Sequence, residues 1–261
     1  MIVPFRSQPP STVFYPESDG KPMAENTLQA EWIVRIMGNL DLQYRDDPNV
    51  FVAMDNFIYA VEGDNSIVTA PDVYVAFGRP KGHRGSYQVW VEDDIFPQVI
   101  FEIMSPSNTR NEMLEKREFY FRYGAEEFYI YDPERNNLEG YLRKKRRVTA
   151  ITNWENFVSP RLGIRLEWTD AELHVIGANG QRFLTFLELG ERAENADNRA
   201  DTEARRAKKE SRRAEQADKR AEQEVQRAVQ ANKRADNAEQ KLAQLRAKLL
   251  AAGLDPDANG Q

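Results

Sequence analysis

Cysteine is absent from the chain, which excludes disulfides and thiolate metal sites at once. Histidine is scarce: His83 and His174 stand far apart, without the short spacing of metal-binding pairs. No apolar run approaches the ~20 residues that cross a bilayer. Residues 1–11 lack the basic start and apolar centre of a secretory leader. These absences predict no membrane partner and a cytoplasmic location. Positive charge is also short where it would count for a nucleic-acid binder. The net charge is −6, yet residues 191–261 hold 16 Lys+Arg against 14 Asp+Glu, leaving 20 against 28 in residues 1–190. An acidic body must rely on local patches or metal ions to meet a phosphate backbone.

What is present centres on residues 97–131. The run Val99-Ile100-Phe101-Glu102-Ile103-Met104 reads as a buried strand that contains one acid. A carboxylate on such a strand is costly unless a cation or hydrogen-bond donor meets it, so Glu102 is the residue to explain. Ser105-Pro106-Ser107-Asn108 stops the strand, and Thr109-x-x-Glu112 is a capping box that opens a helix running to about Tyr123. Gly124 suits its C-terminal cap. Glu112, Lys116 and Tyr120 stand at i, i+4 and i+8 and share one face. Phe128–Tyr131 then reads as a second strand, ended by Asp132-Pro133.

Around this unit the chain reads as follows. Residues 1–22 form a Pro- and Ser-rich arm, ordered only against a partner. Residues 25–40 predict a helix whose apolar stripe is Leu28, Trp32, Ile33, Ile36 and Met37, with Glu25 and Glu31 as solvated face residues. Residues 51–61 and 67–77 predict two strands joined by a turn. With the Glu102 strand they form an antiparallel meander in which Asp72 and Glu102 project toward one edge, and Asp55 lies on the first of them. Residues 79–86 are a basic, glycine-bearing loop, either solvated or contacting phosphate, and 87–91 add a short strand. Arg143-Lys144-Lys145-Arg146-Arg147 suits either a nucleic-acid backbone or a hairpin tip kept soluble by charge. Short strands around 138–142, 148–151, 162–168, 172–176 and 181–184 complete the β content, the last two joined through Asn179-Gly180.

Near Gly190 the composition changes. Positions 193, 200, 207, 214, 221, 228 and 235 are alanine and 242 and 249 are leucine, an unbroken heptad series. Its companion seam is interrupted by Glu203, Glu210 and Glu224. Residues 191–253 therefore predict a coiled coil, firmest at Leu242, Leu245 and Leu249, against the rival of one solvated helix held by i,i+4 ion pairs. Residues 254–261 are a frayed end. The tail or the β-rich region is expected to assemble a homo-oligomer.

Asp72, Glu102 and Lys116 form the candidate constellation. Two carboxylates from neighbouring strands, with the Ile103 carbonyl, suit Mg²⁺ or Mn²⁺, hard ions that take oxygen ligands and activate water against a phosphodiester. Lys116 would orient that water or offset charge on phosphorus. The same residues are equally explained as a buried Glu102–Lys116 salt bridge, with Glu112 serving only as the cap.

The motifs PDVYV at 71–75, VIFEIMSPSN at 99–108, EMLEKREFY at 112–120 and GAEEFYIYDPE at 124–134 occur in this order. Over residues 23–189 the chain resembles the Uma-two family of restriction endonucleases, a branch of the PD-(D/E)XK nuclease fold. The resemblance implies an α/β (α+β) nuclease domain at 23–190, with a restriction-endonuclease-like mixed sheet followed by extra C-terminal β-hairpins. It also implies one metal site served by Asp72 and Glu102, and DNA as partner. The fold's usual lysine, two residues after the glutamate, would fall at Met104; the resemblance implies that a lysine from the next helix, here Lys116, takes over. A catalytically silent nucleic-acid- or protein-binding scaffold, assembled through the coiled coil, is the competing expectation.

Overall fold

A computed structural model describes residues 13–18, 20 and 26–252. Most of the expected arm at 1–22, Glu25, and the expected terminal segment 254–261 lie outside the described residues. The chain divides into two units, Met1–Glu191 and Arg192–Gln261.

The first unit is an α+β body around a six-stranded mixed sheet. The strands are β1 (Val50–Ala53), β2 (Ile58–Tyr59), β3 (Val68–Thr69), β4 (Val73–Phe77), β5 (Tyr87–Gln88), β6 (Val99–Ile103), β7 (Glu127–Asp132), β8 (Asn137–Lys144), β9 (Arg147–Ala150), β10 (Arg165–Trp168) and β11 (Leu173–Ile176). The main sheet runs β1-β4-β6-β7-β8-β9. Within this sheet only β6 and β7 are parallel, and the crossover between them is α2 (Arg110–Tyr123). A three-stranded sheet, β3-β2-β5, and the β10–β11 hairpin complete the β content.

Alternation along the central strands sorts the core into two faces, because successive side chains point to opposite sides. Val73, Val75, Val99, Phe101, Ile103, Tyr129 and Tyr131 pack beneath α1 (Thr27–Gln43), against its Trp32, Ile33, Ile36 and Leu40. Tyr74, Ala76, Ile100, Phe128 and Ile130 face the other way, under Met113, Tyr120 and Phe121 of α2. Glu102 has the parity of Ile100, so the pleat alone aims it at α2.

Several boundaries differ from the sequence expectation, each for a local reason. The strand expected at 51–61 breaks at Asp55, whose φ is 46°, and that at 67–77 breaks at Pro71, which has no N–H to give. Their halves join different sheets, held together where the Asp55 N–H donates to the Pro71 carbonyl (3.1 Å). Helix α1 starts at Thr27 because Asn26 caps it, accepting from the Gln29 N–H at 2.8 Å. Leu28, expected in the apolar stripe, is 36 % exposed, while the polar Gln29 is buried in that stripe. Residues 87–91 give only β5 and a three-ten turn at Val89–Val91. Residues 181–184 form no strand, although Gly177 and Gln181 close the Asn179-Gly180 turn. The described part of the arm packs on the body itself: Tyr15 meets Tyr59 edge-on at 4.9 Å, and the Tyr59 hydroxyl donates to the Pro16 carbonyl (2.6 Å).

Helix α3 (Phe186–Ala251) begins earlier than the change of composition. A second capping box explains the start: the Thr185 hydroxyl accepts from the Glu188 N–H (3.2 Å), and the Thr185 N–H donates to the Glu188 carboxylate (2.7 Å). None of its side chains is buried within this single chain. No helix among the described residues is long and apolar enough to cross a membrane.

Candidate active site

Strand register explains how two acids thirty residues apart meet. β4 and β6 run antiparallel with Val73 opposite Phe101 and Tyr74 opposite Ile100. Continued by one residue, that register sets Asp72 opposite Glu102 on the α2 face of the sheet. The Pro71 carbonyl is engaged by the Asp55 N–H, and the Asp72 side chain supplies the acceptor that meets β6 there. Its Oδ2 accepts from the Ile103 N–H at 2.6 Å.

Helix α2 supplies the cation. The Thr109–Glu112 capping box fixes where the helix starts, with the Glu112 carboxylate accepting from the Thr109 N–H and the Asn108 amide, both at 3.5 Å. Seven residues past that N-cap, Lys116 reaches Glu102 Oε2 at 2.8 Å, and one turn later the Tyr120 hydroxyl donates to Glu102 Oε1. Thr69 Oγ1 lies 3.2 Å from the same hydroxyl. The Glu102 side chain is almost wholly buried and that of Lys116 largely so.

The charge balance of this pocket is unusual, because two carboxylates share one ammonium. Burial first, then the facing charge of Glu102, push Asp72 well above the usual carboxylate range; Asp55 adds to the rise, while the Ile103 N–H and Lys116 oppose it. Burial pulls Lys116 down, but the charge and hydrogen bond of Glu102, with Asp72 and Glu112, outweigh it and leave the amine above its ordinary value. Burial and the Glu102 charge raise Tyr120 well above the phenol range. Lys116 is therefore an ammonium at neutral pH and cannot serve as the base of a reaction.

Asp72, Glu102, Ile103 and Lys116, singled out from sequence, converge here. The pocket also contains residues to which sequence reasoning gives no role. Gln29, buried on α1, donates to the Ile103 carbonyl at 2.8 Å, so one lone pair of that oxygen is already taken. Its only signal in the sequence is a polar residue four before Ile33, inside an apolar stripe. Spacing alone places Tyr120 on the Lys116 face, without a partner. Asp55 reads from sequence as a strand residue, and only its left-handed turn brings its charge to bear on Asp72.

Other candidates fall elsewhere. The basic loop turns its arginines inward: Arg79 reaches Glu92 at 2.9 Å and Arg84 reaches its other oxygen at 2.5 Å, so neither presents free charge to a phosphate. His83 makes no hydrogen bond or ion pair among the described residues, and no cluster of three or more His, Asp or Glu able to hold a metal occurs among them. The Arg143–Arg147 run is the tip of the β8–β9 hairpin.

The oxygen donors present suit a hard divalent ion. Asp72 Oδ1 has no hydrogen-bond partner among the described residues, and each bonded oxygen of Glu102 and Ile103 retains a lone pair.

The family model Uma2, described as "Putative restriction endonuclease", matches residues 17–174. A crystal structure of a "putative nuclease belonging to DUF820" from Anabaena variabilis ATCC 29413 is similar at 13% identity, covering 53% of this chain and 74% of that chain, with a TM-score of 0.40. No curated protein matches.

Proposed function

The chain belongs to the Uma2 family, and from that premise we propose that it is a divalent-metal-dependent DNA endonuclease working through Asp72, Glu102 and Lys116. The observation that carries the reading is the cross-strand pair of acids with a single ammonium between sheet and helix. A pocket built only to bury a salt bridge needs one carboxylate per lysine, and the second acid is an excess that burial penalises. Asp72, Glu102 and the Ile103 carbonyl would hold Mg²⁺ or Mn²⁺, which when bound polarises a phosphoryl oxygen and lowers the pKa of water.

The chain's own residues do the rest. Gln29 orients the Ile103 carbonyl, and Tyr120 holds the Glu102 carboxylate in place. The Lys116 ammonium offsets the negative charge that grows on the phosphoryl oxygens as water adds. One P–O bond forms to water oxygen and one breaks, so the strand ends in a phosphate monoester and a free hydroxyl. The proton lost by water passes to solvent or to the leaving oxygen, since Lys116 is already charged.

Purified full-length protein should nick or linearise plasmid DNA with Mg²⁺ or Mn²⁺, and Asp72→Asn should abolish the activity. Equal cleavage by wild type and variant would remove the assignment. Assembly through α3 and a cytoplasmic location belong to the same reading. Changing Leu242, Leu245 and Leu249 together to Asn should lower the mass found by light scattering, and an unchanged mass would refute assembly by that seam.

A second reading rests on one specific observation: both oxygens of Glu102 already carry a bond, from Lys116 and Tyr120. It makes the body a catalytically silent scaffold and the helix its working part. Such a protein takes up no metal that depends on Asp72.

A further inference from the structure

Most of the body's described cations are neutralised locally. Ten are tied to a carboxylate within 4 Å, among them both arginines of the basic loop. The eight that make no ion pair among the described residues are not scattered. Arg110, Arg117 and Arg122 lie on α2, and Arg143, Lys144, Lys145, Arg146 and Arg147 lie on the β8–β9 hairpin. These two elements form the opposite walls of one groove of about 570 Å³, with Arg117, Phe121 and Arg122 on the helix side and Tyr141, Val148 and Ala150 on the strand side. Of the hairpin's cations, Arg143 shares the Tyr141 face and Lys145 and Arg146 stand at the turn, whereas the register turns Lys144 and Arg147 to the opposite face. A smaller cavity of about 170 Å³ shares Arg117 and Tyr141 and adds Arg110 and Met104.

The smaller cavity brings this face nearest to the candidate site, and α2 carries residues of both. Lys116 and Arg117 are consecutive on α2: one meets Glu102, the other lies 4.8 Å over the Tyr141 ring. Met104, which lines the smaller cavity, is two residues past Glu102. Arg143 braces the hairpin against the helix by donating to the Phe121 carbonyl at 2.8 Å. The acids here are few and partly occupied: Glu139 accepts from the Tyr141 hydroxyl, Asp132 pairs with Arg135, and Glu118 faces the groove alone.

We propose that this α2/β8–β9 face binds the sugar-phosphate backbone of duplex DNA beside the bond to be cut. The inference rests on the nuclease reading and locates its substrate track. It also answers the objection raised by composition. A body carrying 20 basic against 28 acidic residues can still meet a polyanion if its acids pair with cations elsewhere and leave one positive face.

The test is duplex binding by fluorescence anisotropy over a salt series, using the full chain carrying Asp72→Asn so that no DNA is cut. Replacing Lys145 and Arg146, at the hairpin turn, with Gln should make the slope of log K against log salt shallower by about 2, near one for each phosphate that a cation no longer meets. Arg110→Gln with Arg122→Gln, on a different element, should reduce it by about 2, which keeps the test independent of the hairpin's folding. Arg165→Gln with Arg182→Gln, both paired cations outside the groove, should leave it unchanged. The proposal is overturned if the parent chain binds no duplex at low salt, or if both groove variants keep its slope. It is equally overturned if Gln at Arg205, Arg206, Lys208 and Lys209 of α3 removes the slope while the groove variants do not. Failure of the nuclease reading appears separately, as wild-type protein that binds duplex but never cuts it with metal.

Discussion

Glu102 on β6 and Glu127 on β7 occupy neighbouring parallel strands, each is 2 % exposed, and each accepts a tyrosine hydroxyl. Their surroundings differ in kind. Glu127 is met by the Tyr129 hydroxyl at 2.8 Å, the Ser159 hydroxyl and the Arg161 N–H at 2.6 Å. These donors are neutral and fixed, and they pin the 159–162 turn to the sheet. Burial raises Glu127, and those hydrogen bonds pull against the rise. Glu102 instead pairs with a lysine and faces a second acid that has no ammonium of its own. One carboxylate is closed by its neighbours; the other belongs to a cluster with one more carboxyl group than cations. A buried acid is therefore no sign of chemistry, whereas two facing acids with one cation are.

Substitution should separate the two sites. Glu102→Gln is expected to lower metal-dependent cleavage by on the order of 10²–10³ while the protein stays folded. Glu127→Ala should leave the rate per folded molecule within about twofold but cost about 1–3 kcal/mol of stability from its orphaned donors. Parallel cleavage assays and urea melts read both, and the distinction fails if Glu127→Ala loses as much rate as Glu102→Gln.

Next in size is Lys116→Met, which strands Glu102 with only a phenol. Because Lys116 keeps partial solvent contact, a stability loss of up to about 3 kcal/mol is expected, along with a fall in cleavage on the order of 10². A melt and rate like those of wild type would show that the ion pair serves neither purpose.

The smallest effect is one of sign. Asp72 is raised above its unfolded value, so across the interval from about pH 4 up to its folded pKa the native state holds a proton that the unfolded chain has released. Stability from this group falls as pH rises through that interval and is fully present below it. Asp72→Asn keeps an acceptor for the Ile103 N–H and removes the ionisation. It should raise the thermal midpoint at pH 7, by roughly 2–4 °C per kcal/mol relieved, with no gain at pH 3. A midpoint lowered at both pH values would mean that Asp72 is held for structure, as Glu127 is.

Much of this pocket is legible in the sequence because it is built from short-range rules. The apolar run around Glu102, the Thr109–Glu112 cap and the i,i+4 spacing to Lys116 each fix geometry within a few residues. Gln29 is not legible, since a glutamine on a helix stripe acquires meaning only when another element brings the Ile103 carbonyl beneath it. The break at Asp55 escapes a sequence reading because β-propensity on either side of it is continuous and one backbone angle decides the matter, whereas Pro71-Asp72 marks in the sequence where the better half of its strand opens. Pairing of the basic-loop arginines with Glu92 is likewise a tertiary fact, and it reverses the reading of charge: the loop that looks free is neutralised, and the hairpin tip keeps its charge. Heptads at 193–249 describe a seam but not what lies across it.

Calorimetric titration of Mn²⁺ into the full-length protein near pH 7.5, repeated with Glu102→Gln and with Asp72→Asn, goes to the core of the proposal without relying on any DNA sequence. One Mn²⁺ bound per chain, with uptake lost in both variants and weakening as pH falls and Asp72 takes up its proton, is the predicted result. No uptake by the wild type, or uptake that both variants retain, would contradict it and leave Glu102 and Lys116 as a buried ion pair.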